Sequence, residues 1–189
     1  MDRDKRDYYR LDDTILIEFR HITQGDAENA AASDFFTSDP NFHLLRDIYE
    51  LQLESREMLR TLNQQSRQLG NFLANLDKRV EILARSVLLQ GTDRDGLLDC
   101  QAEISEGGLS FLSESLIEVG QFLALRLLFQ PSCLGLACFA EVRHCQLEQD
   151  EYRIGVRFSQ SDYRTQRLIS RHIISRQAEE RRSRLQRGS

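Results

Sequence analysis

Residues 42–89 read FHLLRDIYELQLESREMLRTLNQQSRQLGNFLANLDKRVEILARSVLL, and apolar residues recur in them every seven positions. Ile48, Leu62, Leu69, Leu76 and Leu83 fall in one column, broken only by Ser55. A second column, offset by three, holds Leu44, Leu51, Met58 and Phe72, with Gln65 and Arg79 as polar members. An apolar period of about 3.5 residues keeps one seam of a helix facing a partner through supercoiling. No proline lies between Asn41 and Gln90. Gly70 is the one weak helix former, costing about 1 kcal/mol relative to alanine. Both columns run through Gly70 in one register, which predicts a single helix and not a hairpin. At about 1.5 Å per residue it would be roughly 70 Å long.

Leu59, Leu73, Val80 and Val87 widen the seam beyond a two-stranded contact. The columns are mostly leucine and lack the pairing of β-branched residues with leucine that favours dimers. Self-association is therefore predicted, a tetramer ahead of a trimer or dimer, through Ile48, Leu51, Met58, Leu62, Leu69, Phe72, Leu76 and Leu83. The seam is compatible with parallel or antiparallel packing. The competing reading is an amphipathic helix laid on its own domain, which a rod of this length would overhang if the domain is about 100 residues.

A chain of 189 residues with 40% hydrophobic and 29% charged content accommodates one moderate core and an exposed helix. Its formal charge of −5 argues against a nucleic-acid-binding domain, which is strongly basic. No apolar run approaches the ~18 residues of a membrane span, and the opening MDRDKRDYYR has no secretory core, so a cytoplasmic protein is predicted. Cys100, Cys133, Cys138 and Cys145 lack CxxC spacing and read as small apolar residues in strands, not zinc ligands or disulfides. No nucleophile elbow, HExxH or phosphate-binding glycine loop is present, so neither catalytic residues nor a metal site nor a cofactor is predicted.

Outward from the helix, Thr14–Ile22 alternates Ile15, Ile17 and Phe19 with Leu16, Glu18 and Arg20, a half-buried strand. Gln24–Pro40 is polar, with Asp26 or Ser33 as a possible cap. Beyond Gly96, strands are predicted around Leu98–Ile104, Leu109–Phe111, Gly120–Phe129, Leu136–Cys145 and Glu151–Phe158. The last sets Tyr152, Ile154, Val156 and Phe158 on one face. Strands at about ten-residue spacing indicate an antiparallel barrel or sandwich. Ser161-Asp162 opens a closing helix carrying Leu168, Ile169, Ile173 and Ile174, and the basic tail beyond it is predicted to fray. About 70 residues part the first strand from the second, too many for a loop, so the long helix is an insertion into the barrel.

Three short stretches belong together. Arg6-Asp7-Tyr8-Tyr9-Arg10 has the form RxxxR just before the first strand. Glu103-Ile104-Ser105-Glu106-Gly107-Gly108 has the form [acid]xSxxG at a strand–turn–strand junction, and Tyr152-Arg153-Ile154-Gly155-Val156-Arg157-Phe158 follows as a late strand. In this order, over residues 1–22 and about 96–175, the sequence resembles the PilZ domain family. That resemblance implies an α+β fold: a six-stranded antiparallel β-barrel with a C-terminal helix, here with the long coiled-coil helix inserted. The partition is then 1–22 for the arm and first strand, 23–40 for a linker and 41–90 for the helix. Residues 91–175 complete the barrel and closing helix, and 176–189 form the tail.

The resemblance also implies a non-enzymatic role in bacterial cyclic di-GMP signalling. Arg6 and Arg10 would clamp phosphate and guanine, which suits a fork of donors able to bond in pairs and to stack. Ser105 would bond a guanine edge, and Gly108 would let the backbone turn closely beneath it. Glu103 departs from the family pattern, where binding members carry Asp or Asn; its longer side chain cannot close the same local turn. Two functions remain: a self-associating receptor for the dinucleotide, or a scaffold that binds none and acts through protein partners in pilus or motility control.

Overall fold

Six strands make the sheet: β1 (Leu11–Ile22), β2 (Leu98–Ser105), β3 (Gly108–Ser113), β4 (Phe122–Phe129), β5 (Leu134–Glu148) and β6 (Glu151–Ser159). In this structure, a computed structural model describing residues 10–91, 97–130, 132–159 and 163–187, they pair antiparallel and close into a barrel in the order β1-β2-β3-β6-β5-β4. Ile15, Ile17, Ile104, Phe111, Leu125, Leu127 and Ile154 fill its interior. The strands stand where the alternation places them, and the barrel with its C-terminal helix is the architecture the resemblance implies.

The closing helix, α4 (Tyr163–Arg187), sends Leu168, Ile169 and Ile173 into that same core. Ile174, expected with them, is exposed, and its predicted opener Ser161-Asp162 lies outside the described residues. The helix does not fray after Ile174; it continues to Arg187. A buried polar chain seats α4 on the barrel. His172 Nε2 lies 2.7 Å from Asp13 Oδ2 on β1, its Nδ1 lies 3.2 Å from Ser132 Oγ, and Arg176 Nη2 donates to Asp13 Oδ1 at 3.2 Å.

The heptad stretch is not one helix. It forms α2 (Pro40–Gln65) and α3 (Arg67–Gly91), which fold back on one another about Ser66. Ser66 ends the first, its amide donating to Leu62 O at 2.8 Å, and starts the second, its carbonyl accepting from Gly70 N at 2.9 Å. Gly70 is the crossing point: a Cβ there would sit 2.8 Å from Asn63 Cα, so only glycine fits. Seven-residue spacing records which face a residue occupies and not the direction of the axis, so a hairpin exposing the same face of both arms keeps the column. Each arm is roughly 40 Å long.

The insertion is otherwise as expected, entering from β1 and returning into β2. A stripe outside the predicted columns, Phe42, Leu45, Tyr49 and Leu53, carries the packing on the barrel. Leu45 and Ala84 meet Leu16, Leu128 and Cys133 on the barrel's outer side. This cover explains why β1 is buried on both faces from Ile15 to Glu18 and not alternately exposed. The predicted seam faces solvent: Leu51, Met58, Leu69, Phe72, Leu76 and Leu83 are all exposed. Ile48 is half-buried against the Leu16–Leu45 cluster, and Leu62 is half-buried too.

At the hairpin's foot, Arg126 of β4 is buried with two acids, its Nη2 2.9 Å from Asp39 Oδ2 and its Nη1 3.6 Å from Glu18 Oε2. Its guanidinium carbon lies 4.9 Å from the centre of the Phe42 ring. Between β1 and α2, Thr23 caps α1 (Gln24–Asn29) in a reciprocal box in which Asp26 is the third helical residue, not the cap. Ala27 and Phe36 from this segment pack on Ala124 and Phe139.

All four cysteines are free, and Cys133 sits in a turn at φ 58° and not in a strand. Burial pushes the thiols of Cys100 and Cys138 up to about 12. Because only the thiolate is nucleophilic, both are expected to resist maleimide at pH 8 in the native protein and to react once it is unfolded in urea. Mass spectrometry of labelled peptides checks this; rapid native labelling of Cys138 would contradict it.

Candidate functional site

The β2–β3 hairpin closes on Ser105 and Gly108, with Glu106-Gly107 as its turn. Ser105 Oγ donates to Gly108 O at 3.1 Å, and the Phe158 amide of β6 donates to Gly107 O at 2.9 Å. Gly108 also pairs with Arg157 of β6, where a Cβ would lie 2.1 Å from Val156 O. The neighbour is backbone and cannot swing away. Gly108→Ala is therefore expected to cost about 3 kcal/mol in urea unfolding. A loss below about 1 kcal/mol would show that the hairpin shifts freely.

The pairing of Asp12 with Glu103 brings the start of β1 beside this turn. Arg10 Nη1 donates to Glu103 Oε2 at 3.0 Å, joining the two sequence motifs by an exposed ion pair. Arg6 lies outside the described residues. Arg10, Glu103, Ser105 and Gly108 line one open pocket of about 640 Å³. That is within the size range of small-ligand sites.

The far wall was not legible as a site. Arg143, His144, Arg153 and Arg157 come from β5 and β6. Register along β5–β6 passes from Val142–Val156 to His144–Gly155, leaving Arg143 as the extra residue of a bulge. A bulge re-aims side chains, and here it falls at the pocket. Arg143 pairs with Glu141 at 2.8 Å and Arg153 with Glu148 at 2.9 Å. The floor is nearly bare, formed by Ser105, Gly108, Ser110 and Gly155. The outward alternation of Arg153 and Arg157 against Ile154, Val156 and Phe158 was the available signal; the bulge left none.

The structure is thus a closed β-barrel with an open pocket lined by Arg10, Arg143, Arg153 and Arg157 at one hairpin and helices covering other faces. A profile of the PilZ domain matches residues 77–175, just over half of the chain. The chain belongs to the PilZ domain family, whose domains are regulatory and non-catalytic and for which cyclic di-GMP, where it is bound, is a ligand and not a cofactor.

Among solved structures, one similar fold is a pathogenic protein from Xanthomonas campestris, a tetrameric PilZ domain self-assembled via an unusual helical bundle. It is 15% identical over 93% of this chain and 91% of that one, with a TM-score of 0.57. YcgR from Escherichia coli in complex with c-di-GMP is 17% identical over 48% of this chain and 40% of its own, with a TM-score of 0.43. The Bacillus subtilis inhibitor of motility is 12% identical over 93% and 52%, with a TM-score of 0.47. At these identities the likeness is one of fold. No curated protein matches the chain by sequence. Among the described residues no helix is long and apolar enough to cross a membrane, and no three potential metal ligands cluster.

Proposed function

We propose that this protein is a self-associating, non-enzymatic regulator of cyclic di-GMP signalling whose barrel pocket takes the dinucleotide directly. One observation carries the reading: Arg10, Ser105 and Gly108, distant in sequence, line the same basic pocket. In the ligand complex, a phosphate displaces the Glu103 carboxylate from Arg10, and Ser105 bonds a guanine edge. The hairpin α2–α3 gathers several copies through its exposed apolar face, a tetramer by analogy with the Xanthomonas campestris fold. Free thiols fit a reducing cytoplasm.

Isothermal titration of the full chain with cyclic di-GMP tests the pocket. Micromolar binding is expected, lost in Arg10→Ala. Glu103→Gln removes both a competitor for Arg10 and a like charge facing the phosphates, and is expected to tighten binding about threefold to tenfold. No heat in the intact chain at high ligand concentration would reject direct binding.

The Arg10–Glu103 pair also favours a second reading, an oligomeric scaffold that binds no nucleotide and presents the barrel to a protein of pilus or motility control. There the pair is a permanent seal. A partner retained by an Arg10→Ala variant, with no cyclic di-GMP response, would select it.

A further inference from the structure

The geometry points to Arg157, on β6, as the second phosphate anchor of this pocket, across from Arg10. The inference rests on the dinucleotide reading above and names how that site would hold both phosphates. Arg10, Arg143 and Arg153 are each held by a carboxylate, from Glu103, Glu141 and Glu148 respectively, at 2.8–3.0 Å. A phosphate reaching any of these must first displace that carboxylate. Arg157 lines the same pocket, is exposed, and its side chain makes no hydrogen bond or ion pair among the described residues. It meets an anion with nothing to displace.

Its place is fixed by backbone and not by side-chain choice. Arg157 stands opposite Gly108 in the β3–β6 pairing, and the close approach at Gly108 fixes that register. From there the floor of Ser110 and Gly155 runs toward Glu103, since Glu103 pairs with Ser110 and Ser110 with Gly155. Gly155 is open only in part, as a Cβ there would lie 3.2 Å from His144 Cβ. The result is a low surface bounded by Arg157 on one side and Arg10 on the other. A cyclic dinucleotide carries its two phosphates on opposite sides of one ring. One phosphate sits against Arg157 in a two-pronged guanidinium contact, and the other reaches Arg10 after Glu103 is displaced.

The test is titration of the full chain, wild type and variants, with cyclic di-GMP and with its linear product pGpG, at two salt concentrations. Arg157→Ala is expected to weaken cyclic di-GMP binding by about tenfold or more and to flatten its salt dependence. Arg157→Lys keeps the charge but not the fork, and is expected to fall between the two. Arg153→Ala, removing a cation that already has a carboxylate, is expected to change binding less than threefold. Thermal unfolding is expected to be unchanged in all three, because these side chains are at the surface. If wild type binds and Arg157→Ala binds equally well, the second anchor is overturned while the receptor reading stands. If wild type binds neither nucleotide, both fall together.

Discussion

Glutamates in place of Leu69 and Phe72 are expected to leave the protein monomeric in light scattering, with circular dichroism unchanged. Both side chains lie on the first turns of α3, 46% and 58% exposed, beside the crossing at Ser66. Neither belongs to the cluster that packs the hairpin on the barrel. A carboxylate there costs the single chain almost nothing. In an assembly it must be buried without a partner, at several kcal/mol per site. Multiplied over four copies, this exceeds what an interface of moderate size retains as net free energy. The intact chain is expected at the tetramer mass. A monomeric mass for the intact chain, or an unaltered oligomer in the double variant, would remove the helical face as the assembly surface.

The second large effect concerns Arg126. Arg126→Met keeps the length and apolar stem but takes the buried cation away from Glu18 and Asp39, leaving Glu18 with the exposed Arg20, whose Nη2 lies 2.8 Å from Glu18 Oε1. Glu18 is 5% exposed, so its charge has no route to water. Breaking one partner of a buried ion cluster costs about 3–5 kcal/mol, a large share of a domain's total stability. Combining it with Glu18→Gln and Asp39→Asn removes the acidic charges that Arg126 balances and is expected to recover most of the loss. Urea unfolding measures both. A single variant within about 1 kcal/mol of wild type would show that the cluster adds nothing net. Thr37 and Asp39, both contacted by Arg126, lie just ahead of α2, so the loosened hairpin is also expected to exchange its amides faster.

The barrel was legible in the sequence because strand alternation is local: Tyr152, Ile154, Val156 and Phe158 announce an inner face without reference to anything else. Gly108 and Ser105 were legible because turn chemistry is local too. The hairpin was not. Its single break is a serine that caps both arms, and the glycine four residues later was read as a weak point and not as a crossing. The apolar stripe of Phe42, Leu45, Tyr49 and Leu53 was overlooked because the seven-residue columns had already accounted for α2. That helix has two apolar faces, one for the barrel and one still open. Leu16 and Glu18 were expected at the surface for a related reason: Leu16 is covered by residues 45 and 84 and Glu18 is paired with Arg126, all far along the chain. The second wall of the pocket depends on a bulge at Arg143, and extra residues in a strand leave no mark on composition or period.

Closure of the sheet has a consequence for any crowd of these molecules. Each of the six strands is hydrogen-bonded on both sides, β1 to β2 and β4 at the seam that shuts the ring. Closure confines the unpaired amides and carbonyls that a neighbour could zip onto, the usual route from local crowding to fibres, to strand ends such as the last residues of β5, which pair with β6 alone. Barrels brought side by side therefore offer little edge from which a continuous sheet could grow.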